Sequence, residues 1–222
     1  MSRYDGRVYP GGPTAVRELA HLVIRKRAVS TMSNNVYLLT CRATGSQLMV
    51  DAADEPDTCW ALVREGGPRL DHIVTTHRHA DHVRALAAVA ERTGAQTSAG
   101  EEDSDALPLA PDRRLRHGDQ ISFGAVVLDV IQLRGHTPGS IALAYDDPAG
   151  HAHLFTGDSL FPGGVGATSH YPYQSFDTLI DDVERRVFEV YDDGTWVYPG
   201  HGDDTTLGAE RPHLAEWRAR GW

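Results

Sequence analysis

Thr75-Thr76-His77-Arg78-His79-Ala80-Asp81-His82 places three imidazoles and one carboxylate within the six positions from His77 to His82. In extended chain, residues two apart project to the same side, so His77 and His79 can reach one ion together. If the chain turns into a helix after them, Asp81 and His82 swing to a neighbouring position, and one short segment supplies ligands to two adjacent ions. No cysteine takes part, and imidazole with carboxylate suits zinc, iron or manganese rather than a thiolate-rich structural zinc site. A loop that is merely rich in histidine would find no further ligands downstream, so the reading depends on whether they exist.

Immediately before the cluster, residues 72–76, with Ile73 and Val74, read as a short buried strand that delivers it at the C-terminal end. Such ends are the usual place for ligand sites in α/β folds. After it, Val83, Leu86, Ala87 and Ala90 fall at helical spacing and predict a helix from about residue 81 to 92. Three more blocks follow. His136 stands alone in Gly135-His136-Thr137-Pro138-Gly139-Ser140, at the end of an apolar run, where the glycines permit tight backbone and Pro138 fixes a turn. It is the third imidazole that an open histidine site requires. Asp158, in Thr156-Gly157-Asp158-Ser159-Leu160-Phe161, follows a strand over 153–156 and is placed to bridge two metals with its two oxygens. His201, in Pro199-Gly200-His201-Gly202, ends a strand over 195–198.

The rest of the chain frames these blocks. Residues 19–28, 35–40 and 47–50 read as antiparallel strands, 56–65 as a helix, 96–99 as a strand and 113–130 as a second meander with His117 exposed at its turn. The acidic run 101–105 reads as solvated, and His151 and His153 as surface alternation on a strand. Phe176, Leu179, Ile180, Val183 and Val187 mark an amphipathic helix that Ser175 can cap. With 222 residues and 41% hydrophobic content the chain can bury a sizeable core, and one domain over 1–222 is expected. Residues 1–13 hold Arg3, Asp5 and Arg7 and no apolar run, which predicts neither a signal peptide nor a membrane helix and a cytoplasmic protein. Two cysteines, Cys41 and Cys59, fit a reducing compartment and read as inert. A formal net charge of -10 disfavours nucleic acid and anionic membranes as partners. The basic residues are nearly all arginine, with Lys26 the only lysine, which reads as compositional bias; Trp217 and Trp222 read as packing residues.

In this order, the four blocks resemble the metallo-β-lactamase superfamily, and their wording is closest to its glyoxalase II-like branch. The resemblance runs from the opening strands to about residue 212. It implies an α/β fold, a four-layer αβ/βα sandwich of two mixed β-sheets flanked by helices, with metals at one edge. It implies two divalent ions, zinc before iron or manganese. His77, His79 and His136 would hold the first, Asp81, His82 and His201 the second, and Asp158 would bridge them. Two such ions about 3.5–4 Å apart lower the pKa of a shared water toward ~7. The resulting hydroxide would attack an ester, thioester, lactone or amide carbonyl, with an ion steadying the oxyanion. Asp81 would also hold or accept the water proton. Ser140 and Ser159 then read as loop hydrogen-bonders rather than nucleophiles.

The implied function is hydrolysis of a small thioester or ester. The alternative is a mononuclear iron oxygenase similar to persulfide dioxygenases, using His77, His79 or His136 with Asp158; a lactonase and a non-catalytic metal-binding protein rank behind both. Arg84, in the Val83-Arg84 pair that follows the aspartate and histidine, is a candidate substrate contact, as are His170, Tyr171 and Tyr173 in the loop Ser169-His170-Tyr171-Pro172-Tyr173. About twenty residues follow His201. The additional C-terminal helical region with which glyoxalase II-like enzymes hold glutathione is therefore expected to be absent or very short, and the thiol carrier stays open.

Overall fold

Apolar and β-branched runs separated by tight turns fold back on themselves as antiparallel strands. In the computed structural model, which describes residues 4–221, β1 (Ala15–Glu18), β2 (Leu22–Val29), β3 (Asn34–Cys41) and β4 (Gln47–Val50) pair antiparallel in sequence order. α1 (Pro56–Gly66), with proline in its first turn, then crosses one face, and β5 (His72–Thr75) adds parallel to β4. α2 (Leu86–Thr93) makes the next crossover, and β6 (Gln96–Gly100) and β7 (Arg113–Leu115) complete a seven-stranded mixed sheet.

The second sheet starts with the antiparallel strands β8 (Gln120–Phe123), β9 (Val126–Gln132), β10 (Ile141–Tyr145) and β11 (His153–Gly157). A small hairpin of β12 (Leu160–Phe161) and β13 (Gly164–Val165) leaves it, and α3 (Phe176–Val183) brings the chain back. β14 (Trp196–Pro199) then lies parallel to β11, and β15 (Thr205–Thr206) forms the edge. α4 (Leu207–Glu210) and α5 (Leu214–Arg220) follow. Leu39, Val74, Leu128, Leu143 and Phe155 pack between the sheets. Leu38, Met49 and Ile73 meet Leu62 and Leu86 of the first helices, and Leu154 and Val197 meet Ile180 and Trp217 of the later ones. Two sheets face to face with helices outside give the four layers expected.

Three local expectations change. No helix starts at residue 81. Ala80–His82 is a single 3₁₀ turn, and α2 begins only at Leu86. The amides of Arg84 and Ala85 donate to the carbonyls of Ala53 and Ala52, at 2.9 and 3.2 Å, so they are not available for helix bonds. The 113–130 region is not one meander: β7 belongs to the first sheet and β8 to the second. β1 was not anticipated; it is a four-residue edge strand with no fully buried position, too short for a period of two to stand out. Ser175 does cap α3, its hydroxyl accepting from the Thr178 amide. Both cysteines are free and buried, and Trp217 is buried; Trp222 and Arg3 lie outside the described residues.

His153 is also not a surface residue. β11 is covered on both faces, and His153 is 1% exposed. The Tyr198 hydroxyl accepts from Arg17 at 3.3 Å and therefore spends its own proton on His153 Nδ1, 3.0 Å away. Burial, with help from Arg17 and His151, lowers the His153 pKa from 6.5 to about 3. The unfolded chain therefore takes up this proton before the native state does. The stability it contributes is full above pH ~6.5 and is lost as pH falls toward 3, at about 1.4 kcal/mol per pH unit. In urea titrations, His153→Phe is expected to lose less stability between pH 7 and pH 5 than the native protein does, by about 2 kcal/mol. Equal losses in both would remove His153 from the acid limb.

Candidate metal centre

Four loops meet at one edge of the sandwich, each following the end of a strand: residues 77–82 after β5, His136 after β9, Asp158 after β11 and His201 after β14. Their close approach depends on missing side chains. A Cβ on Gly200 would stand 2.8 Å from His82 Cε1, and one on Gly139 would stand 2.9 Å from Asp103 Cβ.

Candidate ligand atoms of His77, His79 and His136 lie within 4.8 Å of one another, and so do those of Asp81, His82 and His201. Asp158 stands between the two groups. Its Oδ2 is 4.0 Å from His77 Nε2 and 3.6 Å from His136 Nε2; on the other side Oδ1 is 3.3 Å from His82 Nε2 and Oδ2 is 3.4 Å from His201 Nε2. The seven residues chosen from the sequence are thus gathered in one cluster.

Every imidazole in it has one nitrogen taken from outside. The Thr76 hydroxyl donates to Asp51 Oδ2 at 2.7 Å, so it accepts from His77 Nδ1 at 3.0 Å. His136 Nδ1 donates to the Ala167 carbonyl at 2.8 Å, and His201 Nδ1 to the Met32 carbonyl at 2.9 Å. His82 Nδ1 pairs with Asp51 Oδ2 at 2.9 Å, and His79 Nε2 meets the Tyr173 hydroxyl at 3.0 Å. Fixing one nitrogen sets the tautomer and leaves the other with its lone pair turned inward. His77 Nε2, His136 Nε2 and Asp158 Oδ1 are buried with no hydrogen-bond partner among the described residues. Leaving such atoms unmade costs about 1–3 kcal/mol each, and a divalent cation would satisfy all of them. The donor set of imidazole and carboxylate fits that cation's chemistry.

The cluster's electrostatics divide in the same way. Burial, joined by His82, lowers His77 well below its ordinary pKa against only Asp158. Burial also lowers His79, to about 4. For His82 burial pulls downward too, but Asp158 and Asp51 outweigh it and its pKa is raised; against the same burial, Asp158 and Asp81 raise His201 to about 9. Burial opposes the charges of Asp158 and Asp81, yet the histidines around them hold both carboxyls well down. The field that raises the pKa of His82 and His201 is one that would attract a dication.

Three residues missed in the sequence organise the site. Asp51, at φ 57°, accepts from the Thr76 amide at 2.7 Å besides holding Thr76 Oγ1 and His82. The Asn34 amide donates to Asp81 Oδ2 at 2.9 Å, while its carbonyl oxygen accepts from the Ser30 hydroxyl at 2.6 Å. Asp103, inside the run read as solvated, is fully buried. It accepts from the Arg78 amide at 3.1 Å, the Gly139 amide at 2.9 Å and the Thr137 hydroxyl, tying the first histidine loop to the second. For Asp51, its position right after a buried strand was the available signal.

The candidate substrate contacts separate. The Arg84 guanidinium pairs with Asp54 at 3.0 Å on the surface rather than turning to the cluster. His170 is exposed, with its amide bound to Gln174 Oε1 at 2.8 Å. Tyr171 is 50% exposed and lies flat against His79, ring centroids 5.2 Å apart. Tyr173 is committed to His79. Ser140 does act as a loop hydrogen-bonder, accepting from the Thr137 amide at 3.1 Å; Ser159 Oγ has no partner among the described residues.

A family model described as the metallo-beta-lactamase superfamily matches residues 30–205. The hydroxyacylglutathione hydrolase of Anaeromyxobacter dehalogenans is 36% identical over 170 residues, which are 76% of this chain and 61% of that protein. The chain thus spans about three fifths of this relative's length. Among solved structures, ETHE1 from Myxococcus xanthus superposes with a TM-score of 0.77 at 30% identity, covering 88% of this chain and 84% of that one. TTHA1623, solved in a di-iron-bound form, superposes with a TM-score of 0.71 at 30% identity, covering 83% and 95%.

Proposed function

Because this chain belongs to the metallo-beta-lactamase superfamily, we propose that it is a dinuclear metallohydrolase that cleaves a small acyl thioester or ester. The observation that carries this reading is the second triad. Asp81, His82 and His201 are each held from behind, by Asn34, Asp51 and the Met32 carbonyl, and a one-metal enzyme would have no use for that support. His77, His79 and His136 would hold the first ion and Asp158 would face both. When bound, such ions polarise a carbonyl and bring the pKa of a shared water near neutrality. Asp81 has its Oδ2 occupied by Asn34 and His201, and its depressed pKa keeps it ionised, so it would help hold the second ion and orient a water as a hydrogen-bond acceptor. The relative's name points to acyl thioesters of glutathione as the first substrates to try. Two free buried cysteines accord with a cytoplasmic protein, and no described helix is long and apolar enough to cross a membrane.

A second reading, a mononuclear iron dioxygenase, draws on His77 and His136 meeting one oxygen of Asp158, a two-histidine, one-carboxylate set. Elemental analysis of protein purified without added metal separates the two. The hydrolase predicts about two ions per chain, mostly zinc, and hydrolysis of hydroxyacyl thioesters. About one iron per chain, with oxygen uptake on a persulfide, would replace it with the dioxygenase.

A further inference from the structure

The loop between β13 and α3 braces the first triad from outside. Gln174 Nε2 donates to the carbonyls of His136 and Ala167, both at 3.0 Å, while its Oε1 accepts from the amides of His170 and Tyr171 at 2.8 and 3.1 Å. One side chain thus closes the loop and ties it to His136. The residue before Gln174, Tyr173, reaches His79 at 3.0 Å. The Tyr173 ring lies beneath the Arg78 guanidinium, 4.2 Å from its centroid, and Arg78 is turned toward Asp103 at 3.6 Å. Tyr171 stacks on Tyr173 with centroids 5.1 Å apart and planes 6° from parallel. The phenol ring is thus packed by both a guanidinium and a second ring.

His79 is the odd ring of the cluster. The other four imidazoles meet their outer partners through Nδ1, whereas His79 does so through Nε2. The atom it offers to the triad is therefore Nδ1, which carries a lone pair only while the proton stays on Nε2. Holding it there requires an acceptor at Nε2, and the acceptor present is the Tyr173 oxygen.

We propose that Tyr173 is a positioning residue for the first metal: its oxygen accepts the His79 Nε2 proton and keeps Nδ1 aimed at the ion, leaving Tyr171 as the ring that faces substrate. The inference rests on the two-metal reading above and assigns a separate task to each of two adjacent tyrosines. Its test is cobalt(II) titration of the metal-free protein against a competing chelator, read by the cobalt absorption spectrum. Native protein is expected to take up two ions. Tyr173→Phe is expected to hold one of them roughly 10- to 100-fold more weakly, with a shifted band, and Tyr171→Phe to match the native spectrum and affinity. A nitrogen-15 histidine spectrum of the zinc-loaded native protein, assigned with His79→Gln, is expected to show His79 protonated at Nε2. That spectrum decides alone if Tyr173→Phe does not fold. A His79 protonated at Nδ1, or a Tyr173→Phe protein with unchanged cobalt affinity and spectrum, overturns the inference and leaves the two-metal reading intact. Native protein that takes up no cobalt overturns both.

Discussion

Asp158→Asn is expected to lower hydrolytic turnover on the order of a thousandfold and to reduce bound metal from two ions per chain toward one. Asp158 faces both triads, with its oxygens 3.3 to 4.0 Å from the inward nitrogens of four histidines. Asparagine keeps the shape and one carbonyl oxygen but removes the charge and the second acceptor. Two dications held close together would repel strongly, and a carboxylate facing both would offset part of that repulsion. The variant should therefore retain the first ion, which three imidazoles still hold, and lose the second. The native charge of Asp158 is opposed by its burial but sustained by His82, His201 and His77, which hold its pKa well down, so the ionised carboxylate also stabilises the metal-free fold at neutral pH. Thermal unfolding of the metal-free variant should therefore also fall below native, and the gap should widen in the metal-loaded forms, where the lost ion adds to it. Metal analysis, steady-state kinetics on the best thioester and melting with and without zinc check all three statements. A variant with two tightly held ions and native turnover would remove Asp158 from the bridging role.

The candidate ligands were legible in the sequence because histidine at this density is rare and because each lone ligand follows a strand end with glycine beside it. Their supports were not. His201 is held by the backbone carbonyl of Met32 across 169 residues, and a carbonyl leaves no trace in residue type. Asp51 and Asn34 reach His82 and Asp81 across 31 and 47 residues, distances that only the sheet order closes. The helix expected over about 81–92 starts only at Leu86 for the same reason: the pattern was helical, but tertiary bonds from Arg84 and Ala85 to Ala53 and Ala52 captured the amides of its first turn. Strand positions were readable from local pattern; which sheet takes β7 and which takes β8 was not, and the four-layer arrangement came from the resemblance. His153 was misread because alternation identifies an exposed face only when one face of the sheet is bare, and β11 has none.

The largest effect on stability is expected at the residue dismissed as compositional. Lys26 is the only lysine in 222 residues, and it is 0% exposed on β2. Its three ammonium protons have three acceptors: the Gly6 carbonyl at 2.7 Å, the Gly202 carbonyl at 2.7 Å and Asp204 Oδ1 at 2.6 Å. Asp204 in turn accepts from the Tyr4 hydroxyl at 2.7 Å and from Trp196 Nε1 at 3.0 Å. Burial pushes the lysine pKa down and the aspartate pKa up, and each charge partly restores the other. An arginine could not serve: its flat fork is larger and presents its protons in one plane, whereas these acceptors surround a point charge. Lys26→Met would leave Asp204 buried without its counter-charge, at a cost of about 3–5 kcal/mol and a fall in Tm on the order of 10 °C. Adding Asp204→Asn should recover part of that loss, since the uncompensated charge goes with it. Because Gly202 adjoins His201, the same change loosens the second triad, and metal affinity should fall along with stability in Lys26→Met. Lys26→Arg is expected to destabilise as well. Chemical denaturation of the single and double variants tests the coupling. Single variants as stable as native protein, or a double variant no better than Lys26→Met, would show that the pair contributes packing alone.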